Sequence, residues 1–261
     1  MRLDNKNAVI YGAGGSLGGA VAKALATAGA RVFLTGHREP SLLAVADAIR
    51  SGGGKAEADV VDAMDGKAIA AHLEKMGRVD ITFNAVGIDV VQNIPLTDIS
   101  AADFVTPITR TMHTRFLTAI AAAKVMMQQR SGVILSLTAT PGGIGYPCTG
   151  GFAPACSAVE SFSRNLAAEL GVYGIRVVNI RSGGSPDSRV FSEAVQQVPD
   201  VMETVLRTMK GDTMLKEMPL MADIANAAVF LCSDMARMIT GVTLDVTAGT
   251  TAGLNYKVKM D

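Results

Sequence analysis

"NAVIYGAGGSLGGAVAKALATAGARVFLTGHR", residues 7–38, is the stretch whose reading decides the fold. NAVIY (7–11) is a short apolar, β-branched run. LGGAVAKALATAG (17–29) repeats its apolar residues at helical spacing and stops on a glycine, a common helix end. RVFLT (31–35) is strand-like again. A strand, a Gly-rich turn, a helix and a second strand make a βαβ unit. In the turn, Gly12, Gly15 and Gly18 fit G-x-x-G-x-x-G, and Gly14 and Gly19 add freedom. A diphosphate is held by backbone N–H groups at a helix N-terminus, so side chains must stay out of its way. Gly12, Gly14, Gly15, Ser16, Leu17 and Gly18 are therefore candidate cofactor-binding residues. The same glycines also serve a tight turn without a ligand, but their place after the first strand favours a nucleotide.

The second strand ends LTGHRE. A site for NAD places an acid here to hold the ribose hydroxyls. Gly36 leaves that space empty, while His37 and Arg38 supply positive charge. A guanidinium pairs well with a 2′-phosphate, so NADP(H) is expected over NAD(H). Arg38 also reads as a solvated charge at a helix start.

Outward from this unit, strand-like runs recur at 55–59, 79–84, 132–137, 175–180 and 242–246, separated by helical patterns such as 41–53. Such alternation implies a doubly wound α/β fold, a parallel sheet with helices on both faces. No repeat or linker splits the chain, so one Rossmann-like domain over 1–261 is expected. Its longest helices fall at about 101–130 and 152–173. Their apolar stripes fit either burial on the sheet or a homodimer or homotetramer contact. The mixed stretch 183–215, with Met202, Leu206 and Met209 at helical spacing, reads as a lid over the substrate or as an ordinary core face.

Composition excludes several classes. Lys+Arg and Asp+Glu each number 24, so the basic excess of a nucleic-acid binder is absent. No apolar run is long enough to span a bilayer, and the N-terminus lacks a signal-peptide pattern. Three cysteines without ligand spacing and three scattered histidines offer no metal site and read as a reduced, cytoplasmic protein.

With these residues in hand, the chain resembles the short-chain dehydrogenase/reductase superfamily nearly end to end. YGAGGSLGG (11–19) is similar to that family's T-G-x-x-x-G-x-G, with Tyr11 for Thr and Ser16 for the middle Gly. ADVVD (58–62) resembles the motif whose acid holds the adenine, which implies Asp59 and the backbone of Val60. DITFNAVGI (80–88) resembles D-I-x-x-N-N-A-G-x, which implies Asn84, Ala85 and Gly87 beside the cofactor. The segment 167–184 leads to the family's P-G loop, with Ser182 for Pro and Gly183 kept. MITGVTLDVTAG (238–249) is similar to its closing strand.

The resemblance implies hydride transfer between a nicotinamide and a carbonyl or alcohol. It implies a Tyr as proton donor, a Lys four residues later, a Ser one strand earlier and an Asn on the preceding long helix. Here those positions hold Phe152, Cys156, Ala139 and Thr111. Phe152 has no ionisable group, the Cys156 thiol cannot stand in as a cation for lysine, and Ala139 offers no hydroxyl. A positioned general acid contributes about 10²–10⁴-fold, so its loss opposes the usual mechanism without removing the cofactor's own chemistry.

Tyr146, in the loop after the fifth strand, and Thr138 are the candidate substitute catalytic residues; Tyr146 also reads as packing over the cleft rim, and Thr138 as bonding only the backbone. His113 lies near the missing Asn and also reads as a surface residue. Cys156 reads as a low-pKa thiol at a helix start or as a small buried residue, and Asp187 as a helix cap. Three readings stay open. One is an NADP(H)-dependent oxidoreductase with an atypical proton donor and an unidentified small-molecule substrate. Another is a catalytically inactive nucleotide-binding sensor or partner subunit. The third is an enzyme that uses no hydride.

Overall fold

The apolar runs lie side by side at the centre of the molecule. In the computed structural model, which describes residues 1–87 and 89–253, seven strands form one parallel sheet in the order β3-β2-β1-β4-β5-β6-β7. They are β1 (Asn7–Tyr11), β2 (Arg31–Gly36), β3 (Lys55–Val60), β4 (Ile81–Asn84), β5 (Gly132–Ala139), β6 (Ile175–Ser182) and β7 (Thr243–Val246). Each lies close to its expected place. The fourth begins two residues later than the sequence pattern indicates, and β5 and β6 run two residues further.

Both faces are covered, as parallel strands require. Ala8, Val9, Ile10 and Tyr11 are all buried, although they alternate between the two faces. Ala8 and Ile10 join one core with α1 (Ser16–Thr27), α2 (Glu39–Ser51) and α8 (Met221–Cys232). Val9 and Tyr11 join the other with α3 (Gly66–Met76), α4 (Ala101–Gln129) and α5 (Phe152–Leu170). Leu25, Leu42 and Ile224 anchor the first layer; Ile69, Met126 and Leu166 anchor the second. The expected helix 152–173 ends at Leu170, and a 3₁₀ turn (Gly171–Tyr173) completes it. The stretch 183–215 holds two helices, α6 (Arg189–Gln197) and α7 (Pro199–Asp212), neither with a buried residue.

The chain runs from β1 outward through β2 and β3, then crosses back to place β4 on the other side of β1. At such a reversal the loops leave the sheet in opposite directions and a crevice opens at the carboxyl ends of the strands. That crevice holds the site. Among the described residues no helix is long and apolar enough to cross a membrane.

Candidate active site

A cleft of about 680 Å³ lies over the carboxyl ends of the strands, lined from Gly36 at the end of β2 to Ser182 at the end of β6. The Gly-rich turn forms its middle. Gly12 has φ +78°, and a Cβ there would stand 2.8 Å from the Ala85 carbonyl oxygen. A Cβ on Gly18 would collide with the Gly12 carbonyl. The turn therefore folds on itself and against the loop after β4, and only glycine fits.

Gly15 caps α1 with no side chain, and the first i→i−4 bond of the helix is Gly19 N to Gly15 O at 2.8 Å. The amides of Ser16, Leu17 and Gly18 are thus left for a ligand, and all three residues line the cleft. This bare helix start fits the diphosphate of a dinucleotide. Ser16 Oγ accepts a hydrogen bond of 3.0 Å from the backbone N–H of Arg189, the first residue of α6.

Gly14, His37, Arg38, Ala85 and Gly87 also line the cleft, as expected. His37 lies 3.5 Å from Asp62, and Arg38 is exposed with no ion pair among the described residues. Four expected cofactor contacts lie elsewhere. Asp59 does not line the cleft: its carboxylate is taken by Lys75 Nζ at 3.1 Å and faces His72 Nε2 at 3.4 Å, both on α3. Val60, whose expected contact is through its backbone, does not line the cleft and is 58% exposed. Asn84 is buried and works as an internal brace. Its amide donates to Thr118 Oγ1 at 2.9 Å, and its carbonyl accepts from the Val86 N–H at 3.0 Å. Gly183 packs on Pro219, and its N–H donates to the Val246 carbonyl. In place of Asp59 and Val60, Val61 and Ala63 line that end of the cleft.

At the other end the four positions implied by the resemblance converge. Thr111, Ala139, Phe152 and Cys156 all line the same cleft. Phe152 and Cys156 stand one turn apart on α5, so i and i+4 share a face. Burial pushes the Cys156 thiol up, so it is a protonated packing residue and not a low-pKa nucleophile.

The substitute donors do not take up the role. Tyr146 is 43% exposed and does not line the cleft. Thr138 lines it, but its hydroxyl donates to Glu160 Oε1 at 2.9 Å and accepts from Asn179 Nδ2 at 2.7 Å. It is committed to a buried network in which Arg181 grips Glu160 and Asp245. His113 is exposed and off the cleft. Asp187 caps a helix, as expected of an Asp in such a loop, but the helix is α8, through the Met221 N–H at 3.1 Å.

Two groups that the sequence reading did not count as site residues line this cleft. Tyr11 is fully buried, and its hydroxyl finds no hydrogen-bond partner among the described residues. Burial pushes it up, so it stays protonated. Arg115 stands four residues after Thr111 on α4 and is 6% exposed.

The comparisons agree with this geometry. Residues 12–251 match a family model described as enoyl-(acyl carrier protein) reductase. The 7alpha-hydroxysteroid dehydrogenase of Escherichia coli K12 is 31% identical, over 98% of each chain. The chain belongs to the short-chain dehydrogenase/reductase superfamily. Tropinone reductase-like 1 of Erythroxylum coca is 32% identical over 95% of this chain and 91% of its own. The crystal structure of levodione reductase superposes with a TM-score of 0.89 at 27% identity, covering 97% of this chain and all of that one. The chain is thus of the oxidoreductase type, in a superfamily that uses nicotinamide cofactors.

Proposed function

We propose that the protein is an NADP(H)-dependent oxidoreductase whose active site works without the tyrosine–lysine pair of its superfamily. The observation that carries this reading is the single cleft. It joins the bare start of α1, the Gly36–His37–Arg38 corner and the four reaction-end positions. The nicotinamide, when bound, supplies or accepts the hydride.

The chain's residues do the rest. The amides of Ser16, Leu17 and Gly18 hold the diphosphate, and His37 with Arg38 meets the 2′-phosphate that Gly36 leaves room for. Phe152, Leu137 and Val159 line the inner end and exclude water. Tyrosine chemistry is absent at residue 152, so the reaction is one in which the hydride acceptor is already activated and needs little help from an acid. The stretch 183–215 covers the substrate, and the exposed apolar side of α4 and α5, with Phe116 and Phe162 6.1 Å apart, meets a second subunit.

A second reading is a nucleotide-binding sensor without turnover. It is favoured by Phe152 and Cys156, which leave the reaction end with neither the phenol nor the lysine. Titration of NADPH and NADH by nicotinamide fluorescence, followed by a panel of activated carbonyls and alkenes, separates the two. NADPH binding with substrate-dependent loss of the nicotinamide absorbance supports the enzyme. NADPH binding with no turnover on any member supports the sensor. Binding of neither cofactor removes both.

A further inference from the structure

The inner end of the cleft contains a buried cation with no counter-ion among the described residues. Arg115 Nη2 donates to the Leu137 carbonyl at 3.3 Å, while Nε and Nη1 are buried without any hydrogen-bond partner among the described residues. None of the ion pairs among those residues involves Arg115. The nearest structural carboxylate on α5, Glu160, is saturated by Arg181 and Thr138. Asp89 lines the same cleft but is exposed at its rim. Burial draws the guanidinium down to about 10, so it remains charged at neutral pH.

An isolated charge in such surroundings is costly. Chains that keep one pair it with an anion. The diphosphate and 2′-phosphate of the proposed cofactor are met by the start of α1 and by His37 and Arg38, so neither needs Arg115. The anion left to supply is the substrate's.

We infer that Arg115 is the counter-ion of an anionic substrate, a small carbonyl or alkene compound bearing a carboxylate, held at the inner end of the cleft between Leu137 and Cys156. The inference rests on the proposed cofactor reading for which molecule occupies the rest of the cleft. Phe152, Leu137 and Val159 keep the surroundings apolar, which strengthens the ion pair relative to water. No other described cation lines the reaction end: His37 and Arg38 lie at the cofactor corner, and Arg189 belongs to the first turn of α6.

The test uses the full-length protein and three probes, pyruvate, acetoacetate and phenylglyoxylate, each beside its neutral methyl ester. Calorimetric titrations are run with and without saturating NADPH on wild type, Arg115→Lys and Arg115→Met. Arg115→Met removes an uncompensated charge for an apolar side chain of similar length, so the fold survives it. The expected result is that wild type prefers at least one acid over its ester by about tenfold or more. Arg115→Lys keeps part of that preference, Arg115→Met loses it, and NADPH affinity is the same in all three.

Equal binding of acids and esters by wild type overturns the inference. So does an Arg115→Met variant that loses NADPH affinity and keeps the acid preference, because Arg115 would then serve the cofactor. Failure of NADPH to bind any of the three removes the cofactor reading alone. An Arg115-dependent acid preference in the unliganded protein would still support the anion site.

Discussion

Arg181 grips Glu160 through two nitrogens, Nε to Oε1 at 2.9 Å and Nη2 to Oε2, and so ties the end of β6 to α5 beneath the reaction end of the cleft. The pair is almost wholly buried, and Arg181 Nη1 reaches on to Asp245 at 2.7 Å. Glu160→Gln leaves Arg181 paired with Asp245 but removes its charge-assisted bonds to α5. It is expected to cost about 1–3 kcal/mol, read as a shift in the denaturant midpoint at unchanged slope. A loss below about 1 kcal/mol would mean that water reaches the pair.

The cofactor corner makes a prediction about discrimination. Arg38 lines the cleft, is exposed, and has no ion-pair partner among the described residues to surrender. Arg38→Ala should weaken NADPH about tenfold, the worth of one charge-assisted hydrogen bond, and leave NADH within about twofold. Parallel fluorescence titrations read both. Equal losses for the two cofactors would place Arg38 away from the 2′-phosphate.

The reaction end makes a prediction about rebuilding. Phe152, Ala139 and Cys156 line one space, so Phe152→Tyr with Ala139→Ser and Cys156→Lys returns a phenol, a hydroxyl and an ammonium to it. The new ammonium would sit beside Arg115, whose charge already acts on Cys156. Two unpaired cations in one apolar pocket repel. Adding Arg115→Met should therefore raise reduction of neutral aldehydes about tenfold or more above the triple variant, measured as NADPH oxidation. Inactivity of both variants, folded and cofactor-bound, would show that these positions do not carry the superfamily's geometry.

The pH prediction concerns His72. Its ring is buried on α3, edge-on to Phe33 at 6.4 Å, with Asp59 and Lys75 facing it. Burial draws it below the ordinary 6.5, although the Asp59 carboxylate opposes the shift. Below pH 6.5 the unfolded chain takes up a proton that the folded chain refuses, so stability falls as pH falls through that value. His72→Gln should flatten this part of the profile of unfolding midpoint between about pH 7 and 5.5. An unchanged slope would mean that other groups control it.

Much of this was legible in the sequence, for identifiable reasons. The central strands announce themselves because parallel strands there are buried on both faces and read as plain apolar runs, as NAVIY does, whereas the edge strands β3 and β7 are partly exposed and carry charged residues. The glycines of the turn announce the tight corner between β1 and α1 because the chain packs on itself there and a Cβ on Gly18 would collide with the Gly12 carbonyl. Asp59 did not read correctly because KAEAD does not reveal which face its last residue takes; pairing with β2 turns the carboxylate toward α3. Arg115 hid because a lone arginine on a helix normally reads as solvated, and only the packing of α4 against β5 shows that this one is buried. Thr138 read as a free hydroxyl because its partners, Glu160 and Asn179, come from 22 and 41 residues away.

Ser16 carries one last consequence. Its oxygen already receives the amide of Arg189, 173 residues along the chain, and its own proton remains available to a second acceptor. An oxyanion at the start of α1 that takes this proton polarises the hydroxyl and tightens its hold on Arg189. Occupancy at the turn is thereby broadcast to the root of α6 without any rearrangement of the sheet. The amide of Arg189 becomes a built-in reporter, and its hydrogen exchange should slow when NADPH is added and stay unchanged in Ser16→Ala.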